Sequence, residues 1–397
     1  MRPLILTNNI NLGSTARILQ SWLRLGRERG WEGCVALPGE GPLARWLADE
    51  QIAHRAGPMP WPDRRRPAAP LWHAWQLARW ARRQQVDVIH CNEHDVYPFG
   101  LLLRKLLRRP LVCHVRFAVS REFCEWAFGG PHRAPDALLW TSQQQRDDCA
   151  EAIAGIVPAE RQHLVRLGVN LDAFGRQPAQ REAARQAWDI APEEIVIGTA
   201  SAIRPVKRIE DFVRLVARLA ERHPQLVGLI AGPVRPGEEW YLQQIQAQIE
   251  ATGLGRRLRW LDRVDPVEPF YQACDLFVST SEYETFGNSV CEAMACSLPV
   301  AAYRGGSVHE VVGEAGCIVE TGDQEQLLVE VEQLVSDAPL RAKLGARARQ
   351  RVEQVFNPAR SLDQVIAIHR QLCGDPPVVE LPGAPLSAGV DPSRGKD

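Results

Sequence analysis

The chain has 397 residues, too many for one ordinary core, and two units of about 180 residues each are the natural division. Apolar residues make up 45% and charged residues 24%, which excludes a disordered or fibrous chain, and no apolar run approaches the ~18 residues that cross a bilayer. The net charge of −1 hides a division: residues 1–190 carry 26 Lys and Arg against 19 Asp and Glu, and the rest 21 against 29. A basic front and an acidic back suggest units that face different partners. No binding motif accompanies the basic residues, so nucleic acid is not expected. The ten cysteines form no CxxC pair and no zinc spacing, as expected of buried, reduced thiols in a cytoplasmic protein.

In chain order, the first half alternates short apolar strands with helices. Arg2–Asn8 has too short an apolar stretch for a signal peptide and predicts a first strand over Leu4–Thr7. Ser14–Glu28 follows as a helix with Ile18, Leu19, Trp22, Leu23 and Leu25 along one stripe. Cys34–Leu37, Val86–Cys91, Leu111–Val115 and Ala137–Thr141 read as strands, with helices over Leu71–Arg83, Phe99–Arg108 and Ser142–Ile153. Repetition of strand then helix predicts a parallel sheet covered on both faces, with ligands at the carboxyl ends of its strands. Gly168–Gln180 has little periodicity and contains Gly175 and Pro178, which places a boundary near residue 175.

A second set follows over residues 176–355. Its strands are expected at Glu194–Ala200, Gln225–Ala231, Leu258–Leu261, Asp275–Thr280, Pro299–Ala302 and Cys317–Val319. Helices are expected at Ile209–Arg222, Glu238–Ala251, Gly287–Cys296, Gln324–Ser336 and Pro339–Val355. Residues 356–373 form one more helix, expected to cross back to the first unit. The tail 374–397 is rich in Pro, Gly and Ser and is expected to be disordered.

The most informative stretch is Ser281–Ala295. Glu284 falls in a strand-to-helix turn and Glu292 inside the helix, eight positions that span up to roughly 12 Å. Between them lies a helix N-terminus, whose free N–H groups and positive dipole end suit phosphate. Spacing alone allows a surface turn with a helix salt bridge as readily as a ligand clamp. Thr285-Phe286-Gly287-Asn288 supplies small residues that let backbone approach a ligand, and Gly305-Gly306 follows another strand. The run His90-Cys91-Asn92-Glu93-His94-Asp95 admits structural, acceptor-contact and metal readings, although its ligands are too close together for an ordinary zinc site. Leu71–Arg83, with Trp72, Trp75, Trp80, Arg79, Arg82 and Arg83, can be a core helix or can lie on an anionic membrane surface.

Ser281-x-x-Glu284-Thr285-Phe286-Gly287-Asn288, Glu292-Ala293-Met294-Ala295, Leu298-Pro299-Val300 and Gly305-Gly306-x-x-x-Glu310 together resemble the retaining glycosyltransferases of the GT-B fold, family-4 type. Further matching residues extend the resemblance over most of the chain. They include Gly13, Asp87-Val88-Ile89-His90, His114, Ser142, Leu167-Gly168-Val169-Asn170 and Ile230-Ala231-Gly232. The resemblance implies two Rossmann-like domains, α/β with parallel sheets, facing a central cleft.

It also implies roles for individual residues. Glu292 would bond ribose hydroxyls, and Glu284 hydroxyls of the donor sugar. Phe286, Gly287 and Asn288 would offer backbone N–H groups, with Val264 among the donor-binding residues. Lys207 would meet the diphosphate, Gly13 would let backbone approach it, and His114 would face the sugar. Two departures stand out: Ala202 occupies a position where the family often has Arg, leaving Arg204 to replace it or the leaving-group site to be weaker, and Asn170 stands for the usual Asp.

The expected activity is retaining, metal-independent transfer of a hexose from a nucleoside diphosphate sugar to a hydroxyl of a glycan or lipid-linked acceptor. No covalent nucleophile stands out, no Asp-x-Asp magnesium handle follows a strand, and no cofactor beyond the donor is implied. The expected setting is surface polysaccharide or glycolipid synthesis in the cytoplasm, with possible peripheral contact to the inner face of the membrane. An inactive scaffold protein of the same fold, which Ala202 would favour, and a sugar-nucleotide epimerase are the alternatives. Sugar, base, acceptor and oligomeric state are not specified by these residues.

Overall fold

The computed structural model describes residues 1–63, 65–130 and 132–375. The expected disordered tail therefore lies, beyond Asp375, outside the described residues. Among the described residues there are thirteen strands: β1 Pro3–Leu6, β2 Cys34–Leu37, β3 His54–Ala56, β4 Val88–Cys91, β5 Leu111–Val115, β6 Ala137–Trp140, β7 Gln162–Leu164, β8 Ile195–Ala200, β9 Leu226–Ala231, β10 Leu258–Trp260, β11 Leu276–Ser279, β12 Val300–Tyr303 and β13 Cys317–Val319. The first seven form one sheet, in the order β3-β2-β1-β4-β5-β6-β7, and the other six a second, in the order β10-β9-β8-β11-β12-β13. Every pairing is parallel. Most central strands, such as Leu4-Ile5-Leu6 and Leu276-Phe277-Val278, are apolar and buried throughout, as strands covered by helices on both faces must be.

Both sheets reverse their strand order once, between β1 and β4 in the first and between β8 and β11 in the second. Ligands of open α/β sheets bind outside the carboxyl ends of the strands at such a reversal. The loop after β1 carries Gly13, the loop after β8 carries Ser201 to Lys207, and the turn after β11 carries Glu284.

Several short elements escape the sequence pattern. The edge strands β3 and β7 are three residues long and half-buried, too brief and too polar for alternation to register. The helix Pro178–Ala187 begins inside the stretch read as a boundary, with Pro at its first position, where a missing N–H costs nothing. The expected helix Ser142–Ile153 is divided at Cys149 into Gln143–Asp148 and Ala150–Ile153.

The last described helix, Pro358–Leu372, packs against Ser14–Glu28. Trp22 donates to the Ser361 hydroxyl at 2.9 Å and Arg29 pairs with Asp363 at 2.7 Å. Trp31 Nε1 donates to His369 Nδ1 at 3.2 Å, and His369 Nε2 lies 2.9 Å from His90 Nδ1. An indole N–H can only donate, so His369 carries its proton on Nε2 and passes a hydrogen bond to His90 Nδ1. Burial pushes the His369 pKa down to about 3, so this chain of rings is neutral. The helix is thus tied to the first unit by polar groups out of water. Replacing His369 by Ala leaves the Trp31 N–H and His90 Nδ1 unpartnered as well as a void, at a cost on the order of 3 kcal/mol. A urea titration reads this as a lower midpoint at unchanged slope; a loss below about 1 kcal/mol contradicts the assignment.

Candidate active site

A cavity of about 430 Å³ lies where the two strand-order reversals meet. From the first unit it is lined by Leu12, Gly13, Ser14 and Arg17, and from the second by residues that include Ser201, Ala202, Lys207, Gly232, Val264, Tyr271, Glu284, Asn288 and Glu292. Two helices start at its walls, Ser14–Glu28 and Asn288–Ala295. Neither has a side-chain cap or an acidic residue in its first turn. Their first N–H groups are left for something else, and their positive dipole ends converge from opposite units. Gly13 and Gly287 are the respective N-caps. A side chain on Gly13 would project into open space, and Gly287 takes φ +92° to turn the chain into its helix.

Two ion pairs cross this space. Lys207 Nζ lies 2.5 Å from Glu284 Oε1, which also accepts from the Ser281 hydroxyl at 2.8 Å. Arg17 lies 2.6 Å from Glu292 Oε1, and the Tyr271 hydroxyl donates to Glu292 Oε2 at 2.8 Å. Burial opposes the charge of Arg17, but the carboxylate of Glu292 and its hydrogen bond outweigh it and raise the guanidinium pKa. Burial, with the nearby Glu292, holds the Tyr271 hydroxyl protonated far above the usual tyrosine range.

The Glu284 turn is fixed from both sides. The hydroxyl oxygens of Thr141, Ser142 and Ser307 lie 2.9–3.1 Å from the Thr285 carbonyl oxygen, and the Thr285 hydroxyl donates to the Arg116 carbonyl at 2.9 Å. Gly305 and Gly306 press directly against the turn: a Cβ on Gly306 would collide with the Glu284 carbonyl, and Gly306 has φ +57°. Glu310 accepts from the backbone N–H groups of Gln143 and Gln144 in the first unit, which caps a helix across the interface rather than entering the cavity.

Of the residues singled out in the sequence, Gly13, Lys207, Val264, Glu284, Asn288 and Glu292 line the cavity. Phe286 is 3% exposed, packs against Phe356 and borders a small adjoining hollow. Arg204 is not among the lining residues; it is partly buried, with its Nε unpartnered. The expectation that His114 faces the cleft is corrected. It lies inside β5, fully buried and stacked on Trp22 with 6.0 Å between ring centroids, and both ring nitrogens lack partners. Two residues further on, beyond the strand end, Arg116 bonds the Asn92 carbonyl and side chain and meets the Glu284 turn.

Arg17 and Tyr271 were missed. Arg17 carried a signal, because a cation in the first turn of a helix opposes the dipole and needs a partner. The His90–Asp95 run proves largely structural at Glu93. Its buried carboxylate accepts from the Thr7 hydroxyl, the Asn8 N–H and the Asn9 and Asn92 amides, and so holds the loop that leads to Gly13. Among the described residues no three His, Cys, Asp or Glu side chains are arranged to hold a metal.

The two parallel sheets, their paired strand-order reversals and the cavity between two helix starts define an α/β protein with a cleft where its two sheets meet. The family model for Glycosyltransferase Family 4 matches residues 19–173, and that for Glycosyl transferases group 1 matches residues 180–351. The chain belongs to the group 1 glycosyltransferases of the GT-B fold. It is 27% identical over 300 residues to a lipopolysaccharide core biosynthesis mannosyltransferase of Rhizobium leguminosarum bv. viciae, covering 74% of this chain and 81% of the relative. It is 30% identical over 286 residues to a D-inositol 3-phosphate glycosyltransferase of Corynebacterium jeikeium, covering 66% and 67%. In fold it is similar to the Anabaena protein Alr3699/HepE, with a TM-score of 0.80 at 23% identity over 92% of this chain and 98% of that one. A glycosyltransferase from Rickettsia africae gives 0.81 at 17% identity over 94% and 99%.

Burial raises the Glu93 pKa from 4.5 to about 7, with Arg116 opposing and Asp95 adding to the rise. The folded chain then holds this proton more tightly than the unfolded one, so its contribution is complete below pH 4.5 and is lost as the pH rises towards 7. Glu93→Gln lacks that titration. Relative to the variant, the parent loses stability between about pH 4.5 and 7 and no more above it; a difference independent of pH contradicts the assignment.

Proposed function

We propose that this protein is a retaining hexosyltransferase that takes its sugar from a nucleoside diphosphate and passes it to a hydroxyl of a glycan or lipid-linked acceptor, without a metal ion. The observation that carries this reading is the placing of Glu284 and Glu292 on one cavity wall with the start of the helix Asn288–Ala295 between them. Glu292 accepts the ribose hydroxyls, the helix starts receive the diphosphate, and Glu284 accepts hydroxyls of the hexose. The bond from the anomeric carbon to phosphate oxygen breaks, and the acceptor oxygen bonds to that carbon on the same face. The acceptor proton goes to the departing phosphate, so acceptor and donor yield glycoside and nucleoside diphosphate. Lys207 stabilises the charge that grows on the leaving group. No carboxylate is needed as a nucleophile, which agrees with Glu284 and Glu292 each being engaged by a cation. The solved complex of Alr3699/HepE with UDP and glucose supports a nucleotide-sugar donor, and the Rhizobium relative supports work on surface polysaccharide.

A peripheral membrane role draws on another face. Leu71, Trp72 and Trp75 of the helix Ala68–Arg83 are 51%, 56% and 43% exposed. They are therefore not its core face, which Ala74, Leu77, Ala78 and Ala81 supply. Trp72 stacks on Trp75, Arg79 lies over the Trp75 ring, and a separate basic hollow is lined by Arg104, Lys105, Arg108 and Arg109. Exposed indoles beside arginines suit an anionic lipid surface. Among the described residues no helix is long and apolar enough to cross a membrane.

Thermal-shift titration with UDP, GDP and ADP sugars identifies the base, since a ligand that binds only the native state raises the melting temperature. Glu284→Ala is expected to cost transfer more than nucleotide affinity, and Glu292→Ala to weaken the nucleotide itself by tenfold or more. Unchanged nucleoside diphosphate affinity in both variants excludes the clamp. Transfer should survive thorough chelation; its loss, restored by added metal, excludes the metal-independent reading. Sedimentation with anionic but not neutral vesicles, reduced by Trp72→Ala with Trp75→Ala, is the expected membrane result. Equal sedimentation with both removes that role.

A further inference from the structure

The cavity holds its cations and carboxylates in pairs, and one pair is in the wrong place for the proposed donor. Each oxygen of Glu292 already holds one donor, Oε1 the Arg17 guanidinium and Oε2 the Tyr271 hydroxyl. A ribose that bonds this carboxylate from the cavity side competes with the partner that shares that side. Tyr271 is buried within the second unit beside Phe270 and Phe277. Arg17 comes from the other unit on a long side chain that is 28% exposed, and it is the freer of the two to move.

We propose that Arg17 is the second cation for the donor diphosphate, parked on Glu292 until the nucleotide takes that carboxylate; this rests on the donor-site reading above. Four observations support it. Arg17 lines the same cavity as Lys207, whereas Arg204 does not. Its residue lies in the first turn of the helix whose start, Leu12 to Ser14, forms the cavity wall. A cation there opposes the helix dipole, and an anion at the same helix start removes that conflict. The present pairing also leaves the guanidinium incompletely satisfied: its Nε is buried without a partner, and its contact with the Leu12 carbonyl is stretched to 3.5 Å.

The charge count follows the same logic. Arg17 with Glu292, and Lys207 with Glu284, leave the four groups neutral in sum before the donor arrives. Ribose and hexose hydroxyls then replace the cations on the two carboxylates, and both cations are released toward the diphosphate lying between. Lys contributes a point charge, while the planar Arg fork can engage two phosphate oxygens at once. Because Arg17 belongs to the first unit and Lys207 to the second, the diphosphate is gripped from both sides of the cleft.

The test compares two ligands on the full chain by calorimetry: the nucleoside diphosphate that stabilises it most among UDP, GDP and ADP, and the matching free nucleoside, read by competition. Arg17→Gln should weaken the diphosphate at least tenfold while leaving the nucleoside unchanged or a few-fold tighter, because the competitor for Glu292 is gone. Arg17→Lys keeps the charge without the fork and should lie between. It carries the same comparison should the neutral variant not fold. Equal changes for the two ligands, in either direction, overturn the proposal, since Arg17 would then act only on Glu292. Glu292→Gln is run separately and should weaken both ligands. If it weakens neither, the donor-site reading fails, whatever Arg17 does.

Discussion

The peptide carbonyl of Thr285 holds the site in register. It sits within 3.1 Å of three hydroxyls, two from the first unit and one from the second. The neighbouring Thr285 hydroxyl reaches the first unit again at Arg116. A carbonyl has two lone pairs and each hydroxyl one proton, so of Ser142 and Ser307, whose oxygens lie 2.5 Å apart, one donates to the other and the other to the carbonyl. This single peptide joins the carboxyl ends of two separate sheets. Glu284 precedes it, and the helix bearing Glu292 begins three residues later. Gly305 and Gly306 are needed because anything larger would push the turn away, and Pro358–Leu372 supplies a second tie by crossing back to Ser14–Glu28.

The cavity held in this way is a polar space with its charges balanced internally. Two carboxylates partly out of water would be costly alone, and each is met by a cation at 2.5–2.6 Å. Such pairs contribute little net stability once desolvation is counted, which makes them exchangeable. A ligand that brings hydroxyls for the carboxylates and oxyanions for the cations can replace both pairs without stranding a buried charge. A nucleoside diphosphate sugar has that arrangement of groups, with hydroxyls at both ends and two phosphates in the middle.

Much of this was legible in the sequence, for identifiable reasons. The alternation of buried strands with long helices fixed the class, because parallel sheets covered on both faces require unbroken apolar runs such as Leu276-Phe277-Val278. Glu284 and Glu292 stood out because they flank a strand-to-helix turn rich in small residues, whereas Lys207 was singled out only through the family resemblance. The short edge strands and the helix Pro178–Ala187 were not, since three half-buried residues or a Pro-led start leave no periodic trace. His114 was misplaced although its strand, Leu111–Val115, was read with the right ends, because a strand's own pattern does not show which of its side chains a neighbouring helix covers. It lies within β5, one residue short of the end, in a buried cluster with Trp22 and His90. Arg17 was passed over because its partner lies 275 residues away, a distance no local pattern spans.

The central claim is that one cavity wall reads a sugar nucleotide lengthwise, ribose on Glu292 and hexose on Glu284. A crystal structure of the full chain with the nucleoside diphosphate that stabilises it most tests this directly. The account predicts ribose hydroxyls within hydrogen-bond distance of Glu292, with the diphosphate between the helix starts at Ser14 and Asn288 and Lys207 beside it. A nucleotide bound with its ribose away from Glu292, or outside this cavity, would contradict it.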